Sequence, residues 1–299
     1  MPLQKSFNDC DVIIVNYNSG ILLLDCVSSV FVAGAARVIV VDNQSTDDSL
    51  EHLERVVKNE RLVVIRNDKN LGFATACNIG AKISSAHSVL FLNPDAVLAA
   101  DALTKMVAVL NTANDVGMVG GFLCNPDGTE QPGGRRVFPT PKRAFMRAFG
   151  LSRLSRFFPE VFSDFLLDKE PLPSKPIPVE AISGACILVK REAMEDVGLF
   201  DTGYFLHCED LDWCMRFRHK GWKVMFVPDA IVTHLWGACS RNRPYFVEWN
   251  KHCGMTLFYK KFFYHQYPGL LWGLVVAGIW FRFVLVIIYY TGRLVLTKI

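Results

Sequence analysis

Three carboxylates crowd the stretch "YFLHCEDLDWCMRFRHKGW", Tyr204 to Trp222: Glu209, Asp210 and Asp212, set among aromatic and apolar neighbours. One reading is structural. Asp210 caps a helix that runs through Leu211, Cys214 and Met215 to a stop at Gly221, and Asp212 pairs with Arg216 one turn on. The other is chemical, with one carboxylate serving as a general base in a pocket, and that reading requires partners elsewhere in the chain.

Candidate partners stand at the ends of apolar runs. Asp42 closes "RVIVVD" several residues before the next helical pattern begins, a position that capping explains less well than it explains Thr46 or Asp47. Asn-Pro-Asp occurs twice. At Asn125 it is followed by Gly128 and Thr129, the signature of a turn. At Asn93 it follows "SVLFL", so Asp95 is the copy placed to hold a divalent cation through hard oxygen ligation. His234 ends "AIVTH"; a lone histidine at a strand end is more often structural than a ligand, and it gains a role only in company.

The elements that must position these residues alternate. Short β-branched runs ("DVIIV", "RVIVV", "RLVVI", "SVLFL", "VGMVGGF") are separated by helical patterns, an order that predicts an α/β fold with a parallel sheet covered by helices on both faces. In such sheets ligands bind beyond the carboxyl ends of the strands, where this chain carries "NYNS", "DNQSTD", "NDKNLGF" and "NPDA". The pattern breaks over residues 139–180 into a basic and aromatic insertion with a proline-rich linker. It resumes with "AISGACILVK", and a segment of different composition follows Arg243. The expected division is therefore a catalytic domain over 1–243 and a membrane-associating segment over 244–299.

At 299 residues the chain can bury a full core. Its net charge of +3 argues against a nucleic-acid partner. Nine scattered cysteines without CxxC pairs suggest thiols of a reducing compartment, and the N-terminus lacks a signal-peptide pattern, which keeps the catalytic part in the cytoplasm. The high apolar content, 51%, is concentrated after residue 267. From Gly269 to Tyr290 only Arg282 is charged, and both a membrane span and a helix lying in the interface fit that run. GxGxxG and Walker patterns are absent, which disfavours a dehydrogenase or phosphotransferase.

Taken in order, "IIVNYNSG", "VVDNQSTDDS", "NLGFATACNIG", "LFLNPDA", "SGACILVKREAMEDVGLFD", "YFLHCEDLDWCMRFRHKGW" and "VPDAIVTH" resemble the inverting family-2 glycosyltransferases of GT-A fold. Within these they are most similar to bacterial rhamnosyltransferases acting on polyprenyl-diphosphate-linked sugars. The resemblance spans roughly Asp11 to Ser240 and implies a Rossmann-like, mostly parallel sheet followed by C-terminal apolar, membrane-associated helices. By position it assigns Asp42 and Tyr17 to the nucleotide base and Asn70 and Asn78 to the donor pocket. The family's DXD motif becomes Asn93-Pro94-Asp95, leaving Asn93 for a sugar contact and Asp95, with His234, for Mg2+ or Mn2+. Asp210 becomes the base and Glu209 a pocket contact. Arg135 and Arg136 are candidates for an acceptor diphosphate. The implied partners are a nucleotide-diphosphate sugar, with dTDP-rhamnose the best guess, and a polyprenyl-diphosphate-linked acceptor in O-antigen or cell-wall assembly. The implied location is the cytoplasmic face of the bacterial inner membrane. The alternatives are another nucleotide-sugar transferase of the family and a non-catalytic, membrane-attached nucleotide-sugar binding protein. A processive synthase should add Gln-x-x-Arg-Trp and several spans, and the chain has neither.

Overall fold

The computed structural model describes residues 9–148, 164–235, 237 and 243–296. Part of the basic and aromatic insertion, residues 149–163, lies outside them.

The first half is built as the apolar runs require. Strands β1 (Cys10–Asn16), β2 (Arg37–Asp42), β3 (Leu62–Arg66) and β4 (Ser88–Leu92) pair in parallel in the order β3-β2-β1-β4. β1 and β4 are buried along their whole length, as strands covered on both faces must be. Helices α1 (Leu22–Val32), α2 (Ser49–Val56) and α3 (Phe73–Ile83) make the crossovers. After the short β5 (Ala96–Leu98) come α4 (Ala102–Leu110) and β6 (Val116–Cys124).

Past β4 the sheet is mixed. β6 is the next long strand in sequence, yet it does not pair with β4. β10 (Cys186–Lys190) is wedged between them, antiparallel to both. β11 (Lys223–His234) then runs parallel to β6, and β5 and β8 (Ile177–Pro178) pair antiparallel with β11. Beside the main sheet, β7 (Arg135–Arg136) and β9 (Ala181–Ile182) form a two-stranded ribbon. The remaining helices are α5 (Pro141–Ala148), α6 (Arg191–Val197), α7 (Glu209–His219), α8 (Pro244–Phe263) and α9 (Leu270–Leu296).

α7 is the helix anticipated from the acidic stretch, ending just before Gly221, but it begins at Glu209 with Cys208 at the cap position, so Asp210 lies within the first turn and does not cap it. Leu211, Trp213, Cys214 and Phe217 bury its inner face. Asp212 is wholly buried with them, and its charge is met by Arg216 Nε at 2.6 Å, Lys261 Nζ at 2.6 Å and the Tyr204 hydroxyl at 3.2 Å.

Lys261 belongs to α8, which follows the expected boundary at 243/244. Phe258, Tyr259 and Phe263 of α8 are buried in the same core cluster as Trp213 and Phe217. Packing against the catalytic core therefore continues through α8, and the long exposed apolar face belongs to α9, where Leu270 is 82% exposed.

Candidate active site

The carboxyl ends of the strands deliver three groups of polar residues to one edge of the sheet. Asn16 and Asp42 are register partners at the ends of β1 and β2. Asn16 Nδ2 donates to Asp42 Oδ1 at 2.8 Å, while Asp42 Oδ2 accepts the Ser45 amide at 3.0 Å. The carboxylate is thus fixed at the start of the following loop. Tyr17, the next residue along β1, receives a hydrogen bond from Arg243 at 2.8 Å, and that guanidinium lies 4.8 Å from the ring centre. Hydrogen bonds from Arg243 and then Asn70 lower the Tyr17 pKa. Asn70 also accepts the Gly72 amide at 3.0 Å. Asn78 is placed differently from its expected role at the pocket. Its Nδ2 donates to the Phe200 carbonyl and its Oδ1 accepts the Phe200 amide, so the side chain is spent pinning the loop that leads to α7.

The second group surrounds Asp95. β1 and β4 are neighbours with Ile14 opposite Leu92, so Tyr17 and the segment Asn93-Pro94-Asp95 leave the sheet side by side. β11 brings in His234, whose Nε2 is 3.2 Å from Asp95 Oδ1 and 3.4 Å from Asn93 Nδ2. On the far side of the ring, His234 Nδ1 faces Gln131 Oε1 at 2.8 Å. Gln131 Nε2 is already committed to the His234 carbonyl and to Asn125 Oδ1, so the amide can turn only its oxygen to the ring. A neutral ring with its proton on Nδ1, donating to Gln131 Oε1, turns the Nε2 lone pair toward the carboxylate. In that tautomer Nε2 and Asp95 Oδ1, 3.2 Å apart, are both electron-pair donors and fit two adjacent ligand positions of one cation. Among the described residues no group of three or more His, Cys, Asp or Glu converges. The Asp95–His234 pair is chemically suited to a divalent ion.

Asp127, in the duplicate tripeptide, accepts Thr129 N and Oγ1 at 2.9 and 2.6 Å in an exposed turn. Its neighbour Asn125 braces Gln131, a residue that sequence reasoning passed over because it lies in a loop without periodicity.

The third group surrounds Asp210, the candidate base. Asp210 Oδ2 accepts the Gly184 amide at 2.9 Å and is paired with Arg136 Nη2, and Oδ1 accepts the Leu211 amide at 2.8 Å. A Cβ on residue 184 would come within 3.3 Å of the Asp210 Cβ, so glycine lets the backbone approach this closely. The Asn93 amide donates to the carbonyl of Ala185, adjoining Gly184, which ties the cation pair to the base. Glu209 faces the interior instead. It is 5% exposed, Oε2 has no partner, and burial together with the neighbouring Asp210 pushes its pKa up to about 8. Its charge in turn raises the buried Cys77 thiol further, beyond the larger effect of burial itself.

His207 and Cys208, immediately before α7, both have φ of 70°. Two successive left-handed non-glycine residues are costly, and such strain gathers at functional sites. The other non-glycine residues with positive φ among those described are Asn18 and Gln44, in the loops after β1 and β2. All four lie on the edge that carries the site.

Arg135 and Arg136 do not act together. Successive residues of a strand point to opposite sides, so Arg136 reaches Asp210 while Arg135 turns inward. There Arg135 is 3% exposed, doubly bonded to Glu130 and stacked on Phe226. It is an internal brace, and the expectation that it meets an acceptor diphosphate is corrected accordingly.

The profile described as "Glycosyl transferase family 2" matches residues 11–198, and "Glycosyltransferase like family 2" matches 173–250. The chain belongs to glycosyltransferase family 2. This glycosyltransferase is 30% identical over 236 residues to the N-acetylglucosaminyl-diphospho-decaprenol L-rhamnosyltransferase of Mycobacterium tuberculosis, covering 75% of each chain. It is 28% identical over 169 residues to the rhamnosyltransferase WbbL of Escherichia coli, covering 53% of this chain and 55% of that one. Its fold resembles the mannosyltransferase PcManGT of Pyrobaculum calidifontis, solved with GDP-Man and Mn2+, with a TM-score of 0.56 and 18% identity over 85% of this chain and 63% of the other. It also resembles GalNAc-T7, solved with UDP, GalNAc and Mn2+, with a TM-score of 0.55 and 20% identity over 75% of this chain and 43% of that one. The GT-A architecture expected from the sequence is thus the architecture found, with a mixed sheet.

Proposed function

We propose that this glycosyltransferase moves L-rhamnose from dTDP-rhamnose onto a polyprenyl-diphosphate-linked sugar, with inversion, at the cytoplasmic face of a bacterial membrane. The observation that carries the reading is Asp210, anchored by the Gly184 amide and linked through Ala185 and Asn93 to the Asp95–His234 pair. Inverting transfer needs a base for the acceptor hydroxyl and neutralisation of a leaving diphosphate, and no covalent nucleophile.

In this reading Asp42, Tyr17 and Asn70 hold the nucleotide, with the Tyr17 ring packed against Arg243. Asp95 and His234 would hold a divalent cation, Mg2+ or Mn2+, which would supply positive charge for the leaving diphosphate. Asp210 accepts the acceptor hydroxyl proton as oxygen attacks the anomeric carbon. Arg136, paired with Asp210 in the structure, is assigned in this reading to an acceptor phosphate and would leave the carboxylate when that group binds. The rhamnosyl donor and the lipid acceptor are supported by likeness to the mycobacterial relative, an N-acetylglucosaminyl-diphospho-decaprenol L-rhamnosyltransferase.

The test is direct assay of purified protein with a panel of nucleotide sugars and a synthetic polyprenyl-diphosphate N-acetylglucosamine. Rhamnosyl product of inverted anomeric configuration by NMR is expected. Turnover with a different donor overturns the rhamnose assignment, and tight donor binding without transfer favours the non-catalytic alternative.

A further inference from the structure

α9 is the only helix among the described residues long and apolar enough to cross a membrane, with mean hydropathy 2.3 over Leu270–Arg293. It does not stand alone. It folds back along α8 as an antiparallel hairpin joined from end to end. Near the turn, Tyr264 and Trp272 meet edge to face with ring centres 5.6 Å apart. Midway, Trp249 and His252 of α8 pack on Trp280 and Phe283. At the far end the hydroxyls of Tyr245 and Thr291 are 3.1 Å apart. Arg282, the one charge in the apolar run, is met by α8, with Nη1 2.8 Å from His252 Nε2 and 3.8 Å from Glu248. His252 Nδ1 faces the Glu248 carbonyl at 2.6 Å, so its proton is on Nδ1 and Nε2 accepts from the guanidinium.

The opposite flank of α8 is built into the catalytic domain. Phe258, Tyr259 and Phe263 are in the core, and Lys261 bridges Asp201 and Asp212 at 2.8 and 2.6 Å. A Cβ at Gly254 would come within 2.7 Å of the His207 carbonyl, so α8 presses directly on the strained turn before Glu209. Arg243, just before α8, holds Tyr17.

These contacts restrict how α9 meets lipid. The 20 residues of α8 run about 30 Å, the thickness of a hydrocarbon core. If α9 crossed the bilayer, α8 would cross beside it and carry Glu248, Lys251, Lys260 and the flank of the catalytic domain into hydrocarbon, where such groups find no water. The face of α9 turned away from α8 is apolar throughout, with Leu270, Leu274, Phe281, Leu285 and Ile288 at helical spacing and each more than half exposed. Trp249, Tyr264 and Tyr289 lie exposed along the hairpin with the exposed cation Lys260, the composition of an interfacial edge.

Accepting the membrane reading above, we propose that α9 lies in the plane of the bilayer, with its free face in the boundary between headgroups and acyl chains. Both of its ends stay on the catalytic side. Tyr245 of α8, which meets the far end of α9 at Thr291, is two residues from Arg243, so this attachment sets the nucleotide end of the site against the lipid surface, where the diphosphate of a lipid-linked acceptor lies.

Full-length protein carrying a C-terminal epitope behind a protease site, in sealed vesicles with the catalytic domain outside, tests the topology. Cleavage in intact vesicles is expected; cleavage only after permeabilisation overturns the proposal. Spin labels on single cysteines replacing Leu270, Phe281 and Ile288, in a background lacking other accessible thiols, should report one shallow depth in phosphatidylcholine/phosphatidylglycerol vesicles. A profile deep at 281 and shallow at both ends means a span and also overturns it. Failure to sediment with those vesicles, with a dimer forming through the stripe instead, sinks both this proposal and the membrane part of the function. A span with intact vesicle binding sinks this proposal alone.

Discussion

Arg136 and the Gly184 amide converge on one oxygen of Asp210, so a side chain from the ribbon and the backbone entering β10 fix the carboxylate at the head of α7. Asparagine at 210 keeps an acceptor for the Gly184 amide and removes the basicity. Asp210→Asn should therefore lower kcat by about 100 to 10,000-fold, the usual worth of a general base, with donor affinity little changed in calorimetry. Turnover near the wild-type rate would rule Asp210 out as the base.

His234 should hold its cation through a ring oriented by Gln131. Asp95→Ala and His234→Ala are expected to weaken nucleotide-diphosphate binding, and excess chelator to abolish transfer. Gln131→Leu should lower metal affinity by roughly 10 to 100-fold, the range for a lost outer-shell partner. Asp127→Ala, in the exposed turn, should leave affinity nearly unchanged. Full activity in chelator, or equal effects at Asp95 and Asp127, would contradict the assignment.

Glu209 makes stability depend on pH. Its folded pKa is raised from 4.5 to about 8 by burial and Asp210, so the native state holds the proton more tightly than the unfolded chain. The resulting contribution is full below about 4.5, declines as pH rises, and is gone above about 8. The slope is at most about 1.4 kcal/mol per pH unit. Glu209→Gln should flatten this decline and raise Tm relative to wild type above pH 8, as read by thermal melts across that range. A variant with the wild-type pH slope would show that Glu209 titrates elsewhere.

Asp212 and α8 stabilise the core together. Asp212→Ala removes the buried partner that Arg216 and Lys261 share, leaving Lys261 on Asp201 and Arg216 on backbone carbonyls, and should cost about 3 kcal/mol in denaturant unfolding, the low end for breaking a buried pair.

Removing everything after Arg243 takes away Phe258, Tyr259 and Phe263, each worth about 1.5 to 3 kcal/mol of burial, and should unfold the protein. Removal after Pro268 should leave a folded catalytic domain by circular dichroism, released from vesicles. A folded, active 1–243 fragment would show that the core does not depend on α8.

The parallel half of the sheet was legible because a strand buried on both faces must be a continuous apolar run, and the residue closing each run must stand at the ligand edge. This placed Asp42 and Asn93-Pro94-Asp95 and separated Asp95 from its duplicate Asp127, whose Gly128 and Thr129 write a turn. The Asp212–Arg216 pair was equally local, one helical turn apart. Gln131 and His234 meet across 103 residues, and periodicity carries no record of where a loop travels. β10 reaches its place between β4 and β6 only after a long excursion, so the mixed half of the sheet depends on pairing between distant segments. Arg135 and Arg136 look alike in sequence, and it is the ribbon with β9 that sends one inward and the other to Asp210. α8 has apolar and charged residues on all sides because it is packed on two of them, against the catalytic core and against α9. A helix with two partners has no single apolar stripe, and the sequence alone placed it with the tail.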